Sequence, residues 1–255
     1  MMDSRFSTSP SETYINGYDN DTLRFMRNRT LESHGAFIKP YLKEGLHILD
    51  LGCGPGTISA GIAAVVGPSG SVVGVDYYGE QFGEAQSGGS ELSVDFRVMD
   101  AYELKFPDCT FDGIFSHALF EHLAHPYEAL KEARRVLKPG GFIGLRCPDW
   151  GGVVIDPSDE KLEAALVARG DLQTKKGGNL LAGRNLGRWL DQAGFTSIKV
   201  SASYEIYSDN SLIIDHFVTQ MERNGLPEHA KTWREWSGIP GALFAQAWFE
   251  AVGIK

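Results

Sequence analysis

The stretch HILDLGCGPG, His47–Gly56, decides the fold. Ile48, Leu49 and Leu51 predict the end of a buried strand, with the acid Asp50 at its exit. Gly52, Gly54 and Gly56 follow at alternate positions, and TISAGIAA opens a helix at Thr57. Strand, tight glycine turn and helix make the first half of a βαβ unit, whose crevice receives an adenosine-type cofactor. Glycine tolerates unusual dihedrals and lets a ligand approach the main chain. A dinucleotide fingerprint, G-x-G-x-x-G, would need its third glycine at position 57, which is Thr57.

Downstream, the pattern repeats. SVVGVD, Ser71–Asp76, is a second apolar run ending in an acid. It lies about 20 residues past the turn, where a carboxylate accepts hydrogen bonds from ribose hydroxyls. Tyr77 follows and is placed to stack on adenine. Val94–Asp100 alternates and ends in a third acid, and Phe111–Ala118 makes a fourth strand. Pro126–Lys138 reads as an amphipathic helix with proline in its first turn, stopped by Pro139, Gly140 and Gly141. Phe142–Cys147 is the fifth strand.

Three motifs carry a family likeness. D-x-G-x-G-x-G runs from Asp50 to Gly56, F-D-x-I-x-S-x-x-x-x-E-H-L from Phe111 to Leu123, and R-V-L-K-P-G-G-F from Arg135 to Phe142. The set resembles the class I S-adenosylmethionine-dependent methyltransferases, in the small-molecule branch that includes the ubiquinone and menaquinone biosynthesis enzymes. The resemblance implies a Rossmann-like three-layer α/β sandwich: a seven-stranded, mostly parallel sheet with its last strand antiparallel. It implies S-adenosylmethionine as cofactor, with Asp50, Gly52, Cys53, Gly54 and Gly56 beside its methionine portion. Asp76 and Tyr77 would hold ribose and adenine. Asp100 would recognise the adenine amino group and the Ala101 amide a ring nitrogen.

One domain is expected over 1–255: an N-terminal helical cover (1–43), a core (44–207 and 241–255) and a helical lid (208–240). The polar start, residues 1–10, reads as disordered. Asp21 or Thr22 could cap a helix on which Leu23, Met26 and Thr30 share a face. Tyr14, Tyr18 and Arg29 are placed to cover the cofactor, Arg29 as a bidentate partner of its carboxylate. Further helices are expected near 80–86, 159–168, 183–194, 210–224 and 227–237, with strands at 196–206 and 247–254. The insertion before the last strand is too long for a structureless loop. It carries Phe217, Met221, Trp233 and Trp236. We read it as a lid over a largely apolar acceptor; a homodimer interface is the competing use of the same faces.

Composition narrows the partners. The formal net charge is −9, a handicap on a polyanion, so a small-molecule acceptor is favoured over nucleic acid. No apolar run reaches the roughly 18 residues of a membrane span. Cys53, Cys109 and Cys147 are scattered, which suits a reduced, cytoplasmic protein. Methyl transfer needs a base only for an unactivated or protonated acceptor. His117, Glu121, His122 and His125 gather after the fourth strand; the first three are the candidate catalytic residues, and His117 also faces the cofactor. His122 and His125 share a face if that segment is helical, but no third ligand completes a metal site. The rival classes are a nicotinamide-dependent oxidoreductase, disfavoured by Thr57, and a non-catalytic cofactor binder; an RNA or protein acceptor is a third alternative.

Overall fold

The computed structural model describes residues 20–82, 94–207 and 211–255. Residues 1–10, Tyr14 and Tyr18 lie outside these.

Seven strands form one sheet: β1 (His47–Leu51), β2 (Ser71–Asp76), β3 (Val94–Val98), β4 (Phe111–His117), β5 (Leu137–Asp156), β6 (Thr196–Tyr207) and β7 (Leu243–Ile254). Their order is β3-β2-β1-β4-β5-β7-β6. β1 pairs in parallel with both β2 and β4, whereas β7 runs antiparallel between β5 and β6. This is the sheet the sequence leads one to expect. Winding reverses between β1 and β4, and such a switch point opens a crevice at the carboxyl ends of the strands.

Eight α-helices are described: α1 (Asn20–Arg27), α2 (Leu31–His34), α3 (Thr57–Val66), α4 (Pro126–Val136), α5 (Glu160–Lys175), α6 (Ala182–Gln192), α7 (Ser211–Arg223) and α8 (Pro227–Ser237). Alternation along the strands separates two cores. Leu49, Leu51, Val73, Ile114, Leu145 and Ala251 face α4 and α6. Ile48, Val72, Phe115, Phe142 and Val252 face α3, α2 and the 3-10 turn Ala36–Tyr41. A third core joins α5, α7 and α8 to Phe244, with Trp233 and Trp236 inside it. The apolar faces of α7 and α8 are thus covered by this chain's own side chains. No described helix is long and apolar enough to cross a membrane.

Several local expectations need correction. α1 begins at Asn20, so Thr22 lies inside it, buried, with its hydroxyl 3.3 Å from His216 Nδ1 on α7. Thr30 is not on the α1 face; it caps α2 in a capping box with Ser33. α5 runs seven residues beyond Ala168, to Lys175, and Leu180 packs on its Gly170, the Cδ1 2.9 Å from where a Cβ would stand. The start of the expected helix at 80–86 lies in a 3-10 turn over Gly79–Phe82, and its positions 83–86 fall outside the described residues. His122 and His125 lie in a loop, not on a helical face: Pro126 disfavours the helical region for His125, whose φ is −122° and ψ 60°.

The N-terminal segment docks through close packing. Ile38 is fully buried, and its Cγ2 lies 2.3 Å from the position of a Cβ on Gly144 of β5. Replacing Gly144 by alanine therefore forces Ile38 away from the sheet. Gly144→Ala is expected to lower unfolding free energy by about 1–3 kcal/mol, the usual cost of overpacking, in a urea titration. A variant as stable as the parent would contradict this docking.

Candidate active site

The glycine turn is braced from both neighbouring strands. The Gly52 and Cys53 N–H groups donate to Val75 O of β2 at 2.8 and 3.0 Å, and Ser116 Oγ of β4 donates to Leu51 O at 2.7 Å. Gly52, Gly54 and Gly56 have φ of 76°, 53° and 82°, the left-handed region that excludes most side chains. Leu119, just past β4, lies 3.0 Å from where a Gly52 Cβ would be. Cys53 packs on Gly74 of β2. Burial, then Asp50 and Asp76, raise its thiol well above the usual range, which leaves an inert side chain.

Asp76, at the end of β2, is bound to the turn. Its Oδ2 accepts from the Gly54 N–H at 2.9 Å; its Oδ1 accepts from the Tyr78 N–H at 3.3 Å and Gln81 Nε2 at 3.2 Å. Burial raises its pKa against these hydrogen bonds. Tyr77 is 46% exposed and lies edge-on to Tyr78. It also feels the charge of Asp100, so the ends of β2 and β3 converge. Asp100 Oδ1 accepts from the Tyr102 N–H at 2.9 Å, and Ala101 between them is half-buried.

Asp50 sits behind the turn. It is 2% exposed and Oδ2 accepts a 2.5 Å hydrogen bond from Ser59 Oγ of α3. Burial raises its carboxyl to about 7, opposed by Ser59 and reinforced by Asp76.

The second group of expected residues divides. His117 ends β4, buried between the rings of His34 and Trp248, each at 5.1 Å. Burial, then the charges of Arg29 and Arg146, push its pKa far down, so the imidazole is neutral. Its Nε2 has no hydrogen-bond partner. Glu121 is engaged elsewhere: Oε2 accepts from Trp150 Nε1 at 3.1 Å and Gln173 Nε2 at 3.0 Å. His122 Nε2 lies 3.7 Å from Glu121 Oε1, and burial lowers its pKa. Arg29 stands near His117 rather than over the glycine turn, its guanidinium 4.9 Å from the Phe25 ring and 6.0 Å from the Trp248 ring. From the same N-terminal segment it is Met26 that approaches the turn, its Sδ 3.9 Å from where a Gly54 Cβ would be. No cluster of three or more metal-ligating side chains occurs among the described residues.

Sequence reading missed Gln81, His34, Arg146, Glu205 and Trp248. One signal was legible: Arg146 interrupts the apolar fifth strand.

A family model described as a methyltransferase domain matches residues 49–145. An uncharacterised methyltransferase of Schizosaccharomyces pombe is 32% identical over 199 residues, covering 74% of this chain and 71% of its own length. The ubiquinone biosynthesis O-methyltransferase of Agrobacterium fabrum is 32% identical over 124 residues, 48% of each chain. Among solved structures, phosphoethanolamine N-methyltransferase 2 of Haemonchus contortus, in complex with phosphomonomethylethanolamine and S-adenosylhomocysteine, aligns with a TM-score of 0.58 at 18% identity, covering 86% of this chain and 51% of that one. The chain spans about half the length of these last two proteins. The sheet order and the turn at its switch point define the class I Rossmann-like fold. The chain belongs to the S-adenosylmethionine-dependent methyltransferases.

The raised carboxyl of Asp50 has a thermodynamic consequence. A group whose folded pKa exceeds its unfolded one keeps its proton longer when folded, so stability falls as pH rises between the two values. From 3.8 to about 7, the ceiling on this loss is roughly 4 kcal/mol. Asparagine copies the neutral acid and cannot ionise. Urea unfolding at pH 5 and pH 8 should therefore show the stability of Asp50→Asn rising relative to the parent at the higher pH. Parallel curves would mean that Asp50 does not ionise against its burial.

Proposed function

We propose that the chain transfers a methyl group from S-adenosylmethionine to a nucleophilic O, N or C atom of a small, partly apolar metabolite. The observation that carries this reading is the glycine turn at the sheet's switch point, tied by Asp76 and followed by Asp100 at the next strand end. The residues suit the cofactor. Side chains are missing where a ligand must pass close to the main chain. The Gln81 amide on Asp76 Oδ1 occupies the place a ribose hydroxyl would take, and half-exposed Tyr77 offers a ring to adenine. Asp50 supports the turn from behind, Tyr14 and Tyr18 complete the cover over the cofactor, and Arg29 covers the His117 side.

When bound, the cofactor supplies an activated methyl group with a good leaving group. The protein's share is then mainly positioning, which can supply about 7–11 kcal/mol of the barrier. No carboxylate should touch the sulfonium, because its charge is lost in the transition state. Asp50, engaged by Ser59, and Asp76, engaged by Gly54, fit this requirement. His117 is the substrate-side group of the site: neutral, buried and with Nε2 unpaired, placed to orient the acceptor by a hydrogen bond. Glu121 acts at one remove, holding the loop after β4 against α5 through Trp150 and Gln173, with His122 beside its other oxygen.

The insertion serves as part of the roof on the acceptor side. α7 meets α1 through His216, which stacks on Phe25 at 5.2 Å and contacts Thr22. Lid and N-terminal cover are therefore one packed unit, and Trp233 and Trp236 stabilise it from within. Closure over an apolar acceptor would exclude water from the reaction.

Calorimetry tests the reading. S-adenosylhomocysteine should bind the full chain, and Asp76→Ala should lose about 1–3 kcal/mol of that affinity, the scale of hydrogen bonds to a charged group. Labelled methyl groups should pass from S-adenosylmethionine to members of a metabolite panel. Undiminished affinity in Asp76→Ala, or binding of NAD in place of S-adenosylhomocysteine, would refute it.

A further inference from the structure

Between α1–α2 and the sheet lies charge where a protein ordinarily places hydrocarbon. Arg146 of β5 is in register with His117 of β4 on one side and Glu250 of β7 on the other. Glu205 of β6, Trp248 of β7 and His34 of α2 complete the group. Arg146 is 4% exposed. Its Nε and Nη1, together with His117 Nε2 and Glu205 Oε2, have no hydrogen-bond partner. Buried polar atoms are nearly always paired, so four unpaired ones around one guanidinium call for a function.

The neighbouring carboxylates do not meet the need. Glu205 Oε2 is 3.5 Å from Arg146 Nη2 and Glu250 Oε1 is 3.6 Å from Nε. Each carboxylate has a nearer partner: His34 Nε2 lies 3.3 Å from Glu205 Oε1, and Ser201 Oγ donates to Glu250 at 3.0 Å. Arg29 adds a second cation, which has ring contacts but no carboxylate partner among the described residues. Two guanidiniums thus converge on the Trp248 indole, at 4.6 and 6.0 Å from its centroid. The same indole stacks on His117 and so fixes both groups.

The rest of the cover is built differently. Over the 3-10 turn, Phe37, Ile38 and Leu42 seal the sheet with hydrocarbon. Above Arg146 the cover is mixed: Leu31 packs on Gly61 of α3, while Arg29 and His34 on either side of it rest on the charged group. An interface of that kind closes less firmly than an apolar one, since its polar atoms gain partners when it opens.

We propose that Arg146, flanked by His117 and Glu205, is the recognition subsite for a carboxylate or phenolate oxygen on the methyl acceptor, admitted when the Arg29 and His34 side chains turn aside. This rests on the methyltransferase reading of the adjoining glycine turn, which Leu119 joins to the end of β4. A guanidinium held against an indole is suited to a planar oxyanion. Glu205 opposes the anion and limits its affinity, so its removal should act in the opposite direction to removal of Arg146.

The test uses the full chain saturated with S-adenosylhomocysteine and ligand-observed NMR on matched fragment pairs. One arm sets aromatic carboxylic acids against their primary amides; the other sets acidic nitrophenols against their methyl ethers, at pH 8. The anionic members should bind preferentially, and the arm showing preference identifies the oxygen. Arg146→Met should weaken them at least about tenfold, while Glu205→Gln should strengthen them several-fold, a gain that mere structural damage would not produce. Equal binding of both members, no binding of either, or weakening in both variants would overturn the subsite. Failure of S-adenosylhomocysteine to bind would instead overturn the cofactor reading on which it rests.

Discussion

The hydrogen bond from the Gly54 N–H to Asp76 is the constraint from which the site follows. It spans two adjacent strand ends and fixes the glycine turn to β2, where Val75 O already holds the Gly52 and Cys53 N–H groups. With Ser116 bracing Leu51 from β4, the turn has no freedom to collapse into the crevice. The geometry costs little in backbone strain because each of the three turning residues lacks a Cβ. Gly74 matters for the same reason: Phe96 and the Cys53 sulfur pack against it, so β2 can lie close behind the turn.

Around this fixed element the covering parts grade from tight to loose. Ile38 and Leu31 lock the N-terminal segment by packing on Gly144 and Gly61, where a methyl group would not fit. α1 is held to α7 through Thr22, Phe25 and His216, and α7 is held by the core it shares with α5 and α8. The charged patch around Arg146 interrupts that sequence of close contacts. Glu121 serves the opposite purpose, drawing Trp150 and Gln173 onto the loop after β4.

Much of the fold was legible because its signals are local and periodic. Apolar runs ending in Asp50, Asp76 and Asp100 lie close together in sequence and mark parallel strands, and the motifs from Phe111 to Phe142 fix the next two. What escaped depends on contacts distant in sequence. Leu180 packs on Gly170 of α5 from ten residues downstream, and the backbone of His125 is set by Pro126. Arg29 reads as a partner for the cofactor carboxylate; packing sets it beside Phe25 and Trp248. Trp233 and Trp236 read as the wall of a lid over the acceptor, with a dimer face as the competing use, and only the tertiary arrangement shows that α5 and Phe244 bury them. Glu205 was obscure, and the charge of Arg146, though visible in the apolar fifth strand, takes its meaning only from its neighbours in the sheet.

The most direct test of the central claim is a crystal structure of the full chain with S-adenosylhomocysteine. The account predicts homocysteine lying along residues 52–56, the ribose hydroxyls on Asp76 with Gln81 displaced, and adenine between Tyr77 and the Asp100–Ala101 segment. A ligand bound away from the glycine turn, or one that leaves Asp76 held by Gly54 and Gln81 alone, would contradict it.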